Sequence, residues 1–217
     1  MPMYYPSYRD DSPRVITVIG RATLSRKPDT VIIQLEVMTE NEQIQQAQQE
    51  NAYKMNQVIQ TLIQSGIIKE DIQTSSYIIH PRYDYVDGKQ VFKGYQVINS
   101  IMVKIKKLDL VGHIIDTAVK NGVNQVSNIQ FTLENQPIYY QKALSDALKN
   151  ALVKAQTLAE TLKVNYDPIP IKIVEDISEM PHPFQKFALV ENSMSTPIVP
   201  GEMEIKAKVE VQMEYYG

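Results

Sequence analysis

Apolar and polar residues alternate with a period of two near the C-terminal end of the chain. Met203, Ile205, Ala207, Val209, Val211, Met213 and Tyr215 fall in one phase, and Glu204, Lys206, Lys208, Glu210, Gln212 and Glu214 in the other. That pattern predicts an antiparallel strand with one wet face. It recurs at Val31, Ile33, Leu35 and Val37, and again at Val97, Ile101, Val103 and Ile105, so a large one-sided sheet is expected. Across residues 42–64 the spacing becomes helical: Met55, Val58, Ile59, Leu62 and Ile63 line one face, and Ser65-Gly66 supplies the stop.

The remaining elements follow from punctuation. Strands are expected at 15–20 and 30–39, parted by the breaker Lys27-Pro28-Asp29. A third strand at 72–83 contains Pro81, which suits a sheet edge, and the tight-turn dipeptide Asp87-Gly88 returns the chain into a long strand at 91–106. Asp109 is expected to cap a short helix running to Lys120, ended by Asn121-Gly122 and followed by a strand at 125–133. The order strand, helix, strand, strand, helix, strand over 29–134 is that of a ferredoxin-like split βαβ core, with both helices on one face of an antiparallel sheet. The predicted class is α+β, this core being extended by a long helix at 138–163 and a C-terminal antiparallel strand pair, 169–175 with the final strand.

In the long helix Ala143, Ala147, Ala151, Ala155 and Ala159 recur every fourth residue beside Leu144, Leu148, Leu152, Leu158 and Leu162. Small residues in line permit close approach, either to the parent sheet or to a helix of another subunit. Residues 176–200 form a long loop carrying Phe184, Phe187, Leu189 and Val190 among Pro181, Pro183, Pro197 and Pro200. Its segment 181–200 is too interrupted for a helix and too apolar for a solvated loop, so that segment is expected to contact a neighbouring subunit; the alternative is folding back over its own sheet edge. Residues 1–13, with Pro2, Pro6, Pro13, Tyr4, Tyr5 and Tyr8, read as a flexible arm ahead of one domain at 14–217.

Composition narrows the chemistry. A chain of 217 residues with 43% hydrophobic content can bury a core, and the absence of cysteine excludes disulfides and thiolate ligands or nucleophiles. With 22 basic against 25 acidic residues, net −3, no field draws in phosphate backbones, and nucleic acid is not an expected partner. Residues 1–13 lack an apolar run, from which neither a signal peptide nor a membrane span is expected, and a cytoplasmic location follows. His80, His113 and His182 stand without metal-ligand spacing, and surface or packing roles are expected for them. Ser193 and Ser195 lack the context of a nucleophile elbow, while Asp29, Asp71, Asp84 and Asp87 stand at turns and strand ends. No catalytic, metal or cofactor-binding residue is nominated, no cofactor is expected, and the chain is not expected to be an enzyme. Tyr83 and Tyr95 are expected to stack across the hairpin, and Asn99 interrupts an apolar strand face as a polar-network or ligand-contacting residue. The rival reading is a small-molecule-binding or hydrolytic protein with a pocket near Tyr83, His80 and Asn99.

Several short motifs in order resemble one family. They are V-I-T-V-I-G with K-P-D-T-V-x-I-x-L-x-V (15–37), S-G-I-x-x-x-D-I-x-T (65–74), I-x-P-x-Y (79–83), G-Y-x-V-x-N (94–99) and P-G-E-M-E-I-x-A-x-V-x-V (200–211). Together they are similar to the SIMPL-domain family, also called DUF541. The resemblance implies a mostly bacterial protein, often exported, with a habit of forming homo-oligomers, some of them rings. It also implies a link to stress protection without an established reaction, and it carries over no catalytic residue.

Overall fold

The computed structural model describes residues 14–177, 196–198 and 200–216. These fall into two compact units. The expected arm at 1–13, His182, Ser193, Ser195 and the apolar residues Phe184, Phe187, Leu189 and Val190 lie outside the described residues.

The central unit, built on residues 27–134, contains β2 (Thr30–Asn41), α1 (Ile44–Gln64), β3 (Ile72–Val86), β4 (Lys89–Ile105), α2 (Val111–Lys120) and β5 (Gln125–Thr132). Its strands lie in the order β3-β4-β2-β5, all neighbours antiparallel. This is the split βαβ arrangement expected from the order of elements. Pro81 lies on β3, an edge strand, the place in a sheet where proline is tolerated.

Alternation decides which side is dry. Val31, Ile33, Leu35 and Val37 of β2 and Ile101, Val103 and Ile105 of β4 form one buried cluster with Met55, Val58 and Leu62 of α1 and Ile114 and Ile115 of α2. The α1 stripe includes one polar member, Asn51, fully buried. Its Nδ2 donates to the carbonyls of Val37 at 2.8 Å and Val97 at 3.2 Å, bridging β2 and β4 from above, and its Oδ1 has no partner among the described residues. Asp109 does not cap α2. A 3-10 turn at Leu108–Leu110 intervenes, the N-cap residue is Leu110, and no side chain bonds there. The far end of the long loop returns to this unit, with Ile198 packed against the cluster and Thr196 bonded to Asp116.

The terminal unit contains β1 (Val15–Arg26), α3 (Gln136–Leu162), β6 (Asn165–Tyr166), β7 (Lys172–Glu175) and β8 (Met203–Tyr216). β8 pairs with β1 on one edge and with β6 and β7 on the other. The expected strand pair β7–β8 is present, and β1, longer than its apolar stretch suggested, joins it in the same sheet. The alternating residues Met203 to Met213 of β8 are all buried. The alanines of α3 are buried as well, and they answer the question of close approach: the helix lies on β1 of its own unit. A Cβ on Gly20 would stand 2.0 Å from the carbonyl oxygen of Ala147 and 2.8 Å from the Cβ of Ala151, so only glycine fits there. Lys154 donates to the Ile19 carbonyl at 2.7 Å and Asn150 accepts from the Arg21 amide at 3.2 Å, fixing the helix along the strand.

Candidate functional site

Pairing of β2 with β4 ends at Asn41 and Tyr95, whereas β3 and β4 stay paired out to Val86 and Lys89. A two-stranded ribbon therefore projects past the four-stranded sheet. Its root is Gly94, at φ +118°, where a Cβ would lie 2.6 Å from the Asn41 carbonyl; the β3–β4 register slips beside it, between Arg82 and Tyr83. Its tip is Asp87-Gly88, with φ of 51° and 76°, the double positive φ of a two-residue hairpin turn.

Alternation along β3 and β4 puts Tyr83, Tyr85 and Phe92 on the continuation of the helix-covered face, beyond the reach of α1. Tyr85 is 76% exposed, and Tyr83 and Phe92 are also exposed. The expected Tyr83–Tyr95 stack is replaced by a relay through Phe92, which meets Tyr83 edge-on at 5.6 Å and Tyr95 edge-on at 5.3 Å. The register explains this: Tyr83 stands opposite Phe92, and Tyr95 stands opposite Pro81.

The structure does not bring His80 together with Tyr83 and Asn99. Asn99 pairs with Tyr77, in phase with Tyr83, while His80 pairs with Gln96 on the opposite face. That face is a polar surface. Gln96 Nε2 donates to Glu40 at 2.6 Å, Glu40 also pairs with Arg82, and Glu36 accepts from Gln34 and Ser127, each at 3.1 Å. Neither cavity described below is lined by His80, Tyr83 or Asn99.

In the central unit a cavity of about 250 Å³ lies between the end of α1, the end of β4 and the start of α2, with Ile67, Ile105 and Ile114 below and Lys104, Lys106 and Lys107 at its rim. Glu134 holds Lys106 at 2.6 Å and Lys104 at 3.6 Å; this hydrogen bond raises the Lys106 ammonium above its usual range and lowers the Glu134 carboxyl. His113 is exposed on α2. Nearby, the Thr196 hydroxyl donates to Asp116 at 2.6 Å and holds that carboxyl below its usual range.

In the terminal unit a cavity of about 370 Å³ is lined by Ile19, Val174, Glu175, Ile177, Lys208 and Glu210, together with Asp176. Lys208 is held by Asp176 at 2.7 Å. Tyr140 donates its hydroxyl to Glu175 at 2.6 Å, and that bond, with burial, pushes the phenol up to about 12. These groups therefore satisfy one another rather than poise a nucleophile beside a base. Along β7 and its approach, Ile169, Ile171 and Ile173 form an exposed apolar ridge, Ile169 at 72%. Among the described residues no group of His, Asp and Glu is placed to hold a metal ion, and no helix is long and apolar enough to cross a membrane.

Sequence reasoning located the hairpin but not its exposure, which depends on where β2 stops. The signal was available: β2 turns into α1 at Asn41, well before the hairpin residues opposite it run out. It also passed over the ridge of alternate isoleucines at 169, 171 and 173.

Comparison with known proteins bears on identity and location. The SIMPL family model, described as a protein of unknown function (DUF541), matches residues 16–213. The 26 kDa periplasmic immunogenic protein of Brucella melitensis is 30% identical over 93% of this chain and 85% of its own length. The uncharacterized protein YggE of Escherichia coli K12 is 29% identical over 73% of this chain and 64% of its own. YggE of Edwardsiella ictaluri is 26% identical over 73% of this chain and 66% of its own. The name of the Brucella relative overturns the cytoplasmic expectation: the composition of residues 1–13 was its basis, and a full-length relative is called periplasmic.

Proposed function

Because this chain belongs to the SIMPL family, whose function is unknown, we propose that it is a non-enzymatic, self-associating protein of the periplasm that builds a homo-oligomer. The observation that carries this reading is the aromatic ribbon at residues 83–92. Isolated two-stranded hairpins are marginal in water, and this one exposes Tyr83, Tyr85, Val86, Val91 and Phe92, with no element among the described residues covering them. Burying Tyr85 and Phe92 against another subunit would supply on the order of a few kcal/mol per contact, and a symmetric assembly repeats that gain at every interface. The family match runs through both units, which supports reading 14–217 as one functional domain. Phe184, Phe187, Leu189 and Val190 are assigned to the same assembly on their composition alone.

Light scattering tests the proposal. The wild-type protein should show a multiple of 24.8 kDa, and Tyr85→Ser with Phe92→Ser should lower that mass while far-UV dichroism stays unchanged. A wild-type protein that remains at the mass of one chain across the micromolar range would sink it.

A further inference from the structure

Among the open strand edges of the two units, one in each carries an exposed apolar face beside it. On the ribbon, the part of β4 that precedes Tyr95 has no β2 neighbour, so among the described residues the backbone of residues 89–93 is paired only with β3. On the terminal unit, β7 pairs only with β8, and its outer edge is unpaired among the described residues. Edges of this kind are templates for strand addition.

The side chains point the same way. Ile173 lies opposite the buried Val211 and remains exposed, so the β7 ridge is the dry face of its sheet continued past α3. Tyr83, Tyr85 and Phe92 likewise continue the dry face of the central sheet.

We propose that the partner of the ribbon is a second copy of this chain, and that residues 89–93 of one copy add as a strand to the open edge of β7 in the next. The proposal rests on the self-association reading above and names its contact. Two different patches meet, so the contact is head-to-tail and propagates into a ring or a filament rather than stopping at a dimer.

The absence of native cysteine makes the contact testable in the full chain. Val91→Cys and Val174→Cys place one thiol on each edge, and Lys172→Cys in place of Val174→Cys covers the neighbouring register. With a short bismaleimide, the double variants should give a ladder of covalent multimers that grows with protein concentration, while each single variant runs as one chain. An oligomeric mass by light scattering without a ladder from either double variant would overturn this contact and leave self-association standing. A single-chain mass for the uncrosslinked protein would remove the self-association reading itself. A cross-link confined to one chain and insensitive to dilution, or dimers from Val174→Cys alone, would also overturn the head-to-tail contact.

Discussion

In the central unit α1 and α2 reach their sheet through Met55, Val58, Leu62, Ile114 and Ile115, whereas in the terminal unit α3 lies on β1 through alanines at every fourth position, with Gly20 beneath them. Large interdigitating side chains hold a helix at a distance and fill the gap. Small ones let backbones come together. The first arrangement should fail when volume is removed and the second when volume is added.

The largest expected effect breaks the central side of the comparison outright. Ile33 has no exposed surface, and an unpaired carboxylate there costs several kcal/mol, comparable with the stability of a whole domain. Ile33→Asp should leave the amides of β2, β4 and α1 unprotected in hydrogen exchange; a soluble variant with an unchanged melting temperature would refute the burial of this face. Next comes Leu62→Ala, which should cost about 2–5 kcal/mol in chemical denaturation through the lost contacts and the cavity left behind. In the terminal unit the reverse change, Ala151→Leu, should cost about 1–3 kcal/mol by overpacking against β1, and Gly20→Ala should act in the same direction. If Ala151→Leu were neutral, α3 would have room to move away and the close-approach account would be wrong.

The smallest effect sharpens the contrast by pH. The Asp116 carboxyl is lowered in the fold by Thr196, so the tether contributes fully above the ordinary value of 3.8 and is lost as pH falls through the lowered one. The Tyr140 phenol is raised from 10.0 to about 12, so its bond to Glu175 contributes fully below 10.0 and is lost as pH rises through about 12. Titration followed by NMR should therefore release Thr196 on the acid side and Tyr140 on the alkaline side. Asp116→Ala should abolish only the first transition.

How much of this was legible depended on how local the cause was. The strands of the central sheet follow from alternation, and the Asp87-Gly88 turn from the φ that only a few residues accept; both are properties of neighbours in sequence. The alanine stripe showed that something approaches closely, but the partner, Gly20, is remote in the chain and its need for a bare Cα is set by Ala147. The pairing of β1 with β8 joins the two ends of the chain, which no local pattern encodes. Asn51 sits in a helical row with Ala47, Met55, Val58 and Leu62, but only the apolar members of that row were read from the sequence and the amide was passed over. Its targets are β2 and β4 carbonyls that only the packed fold supplies. The grouping of His80 with Tyr83 and Asn99 failed against a rule already in hand, since a strand sends consecutive residues to opposite faces.

The seam between Gly20 and the alanines of α3 has a consequence for temperature. Alanine and glycine have no rotamers to freeze, and they remove little hydrocarbon from water, so this seam draws on dispersion between close backbones more than on expelled solvent. Its contribution to the heat capacity of unfolding is correspondingly small. Solvent-driven cohesion fades on cooling, and the aliphatic core of the central unit should weaken with it. The terminal seam should keep its strength in the cold.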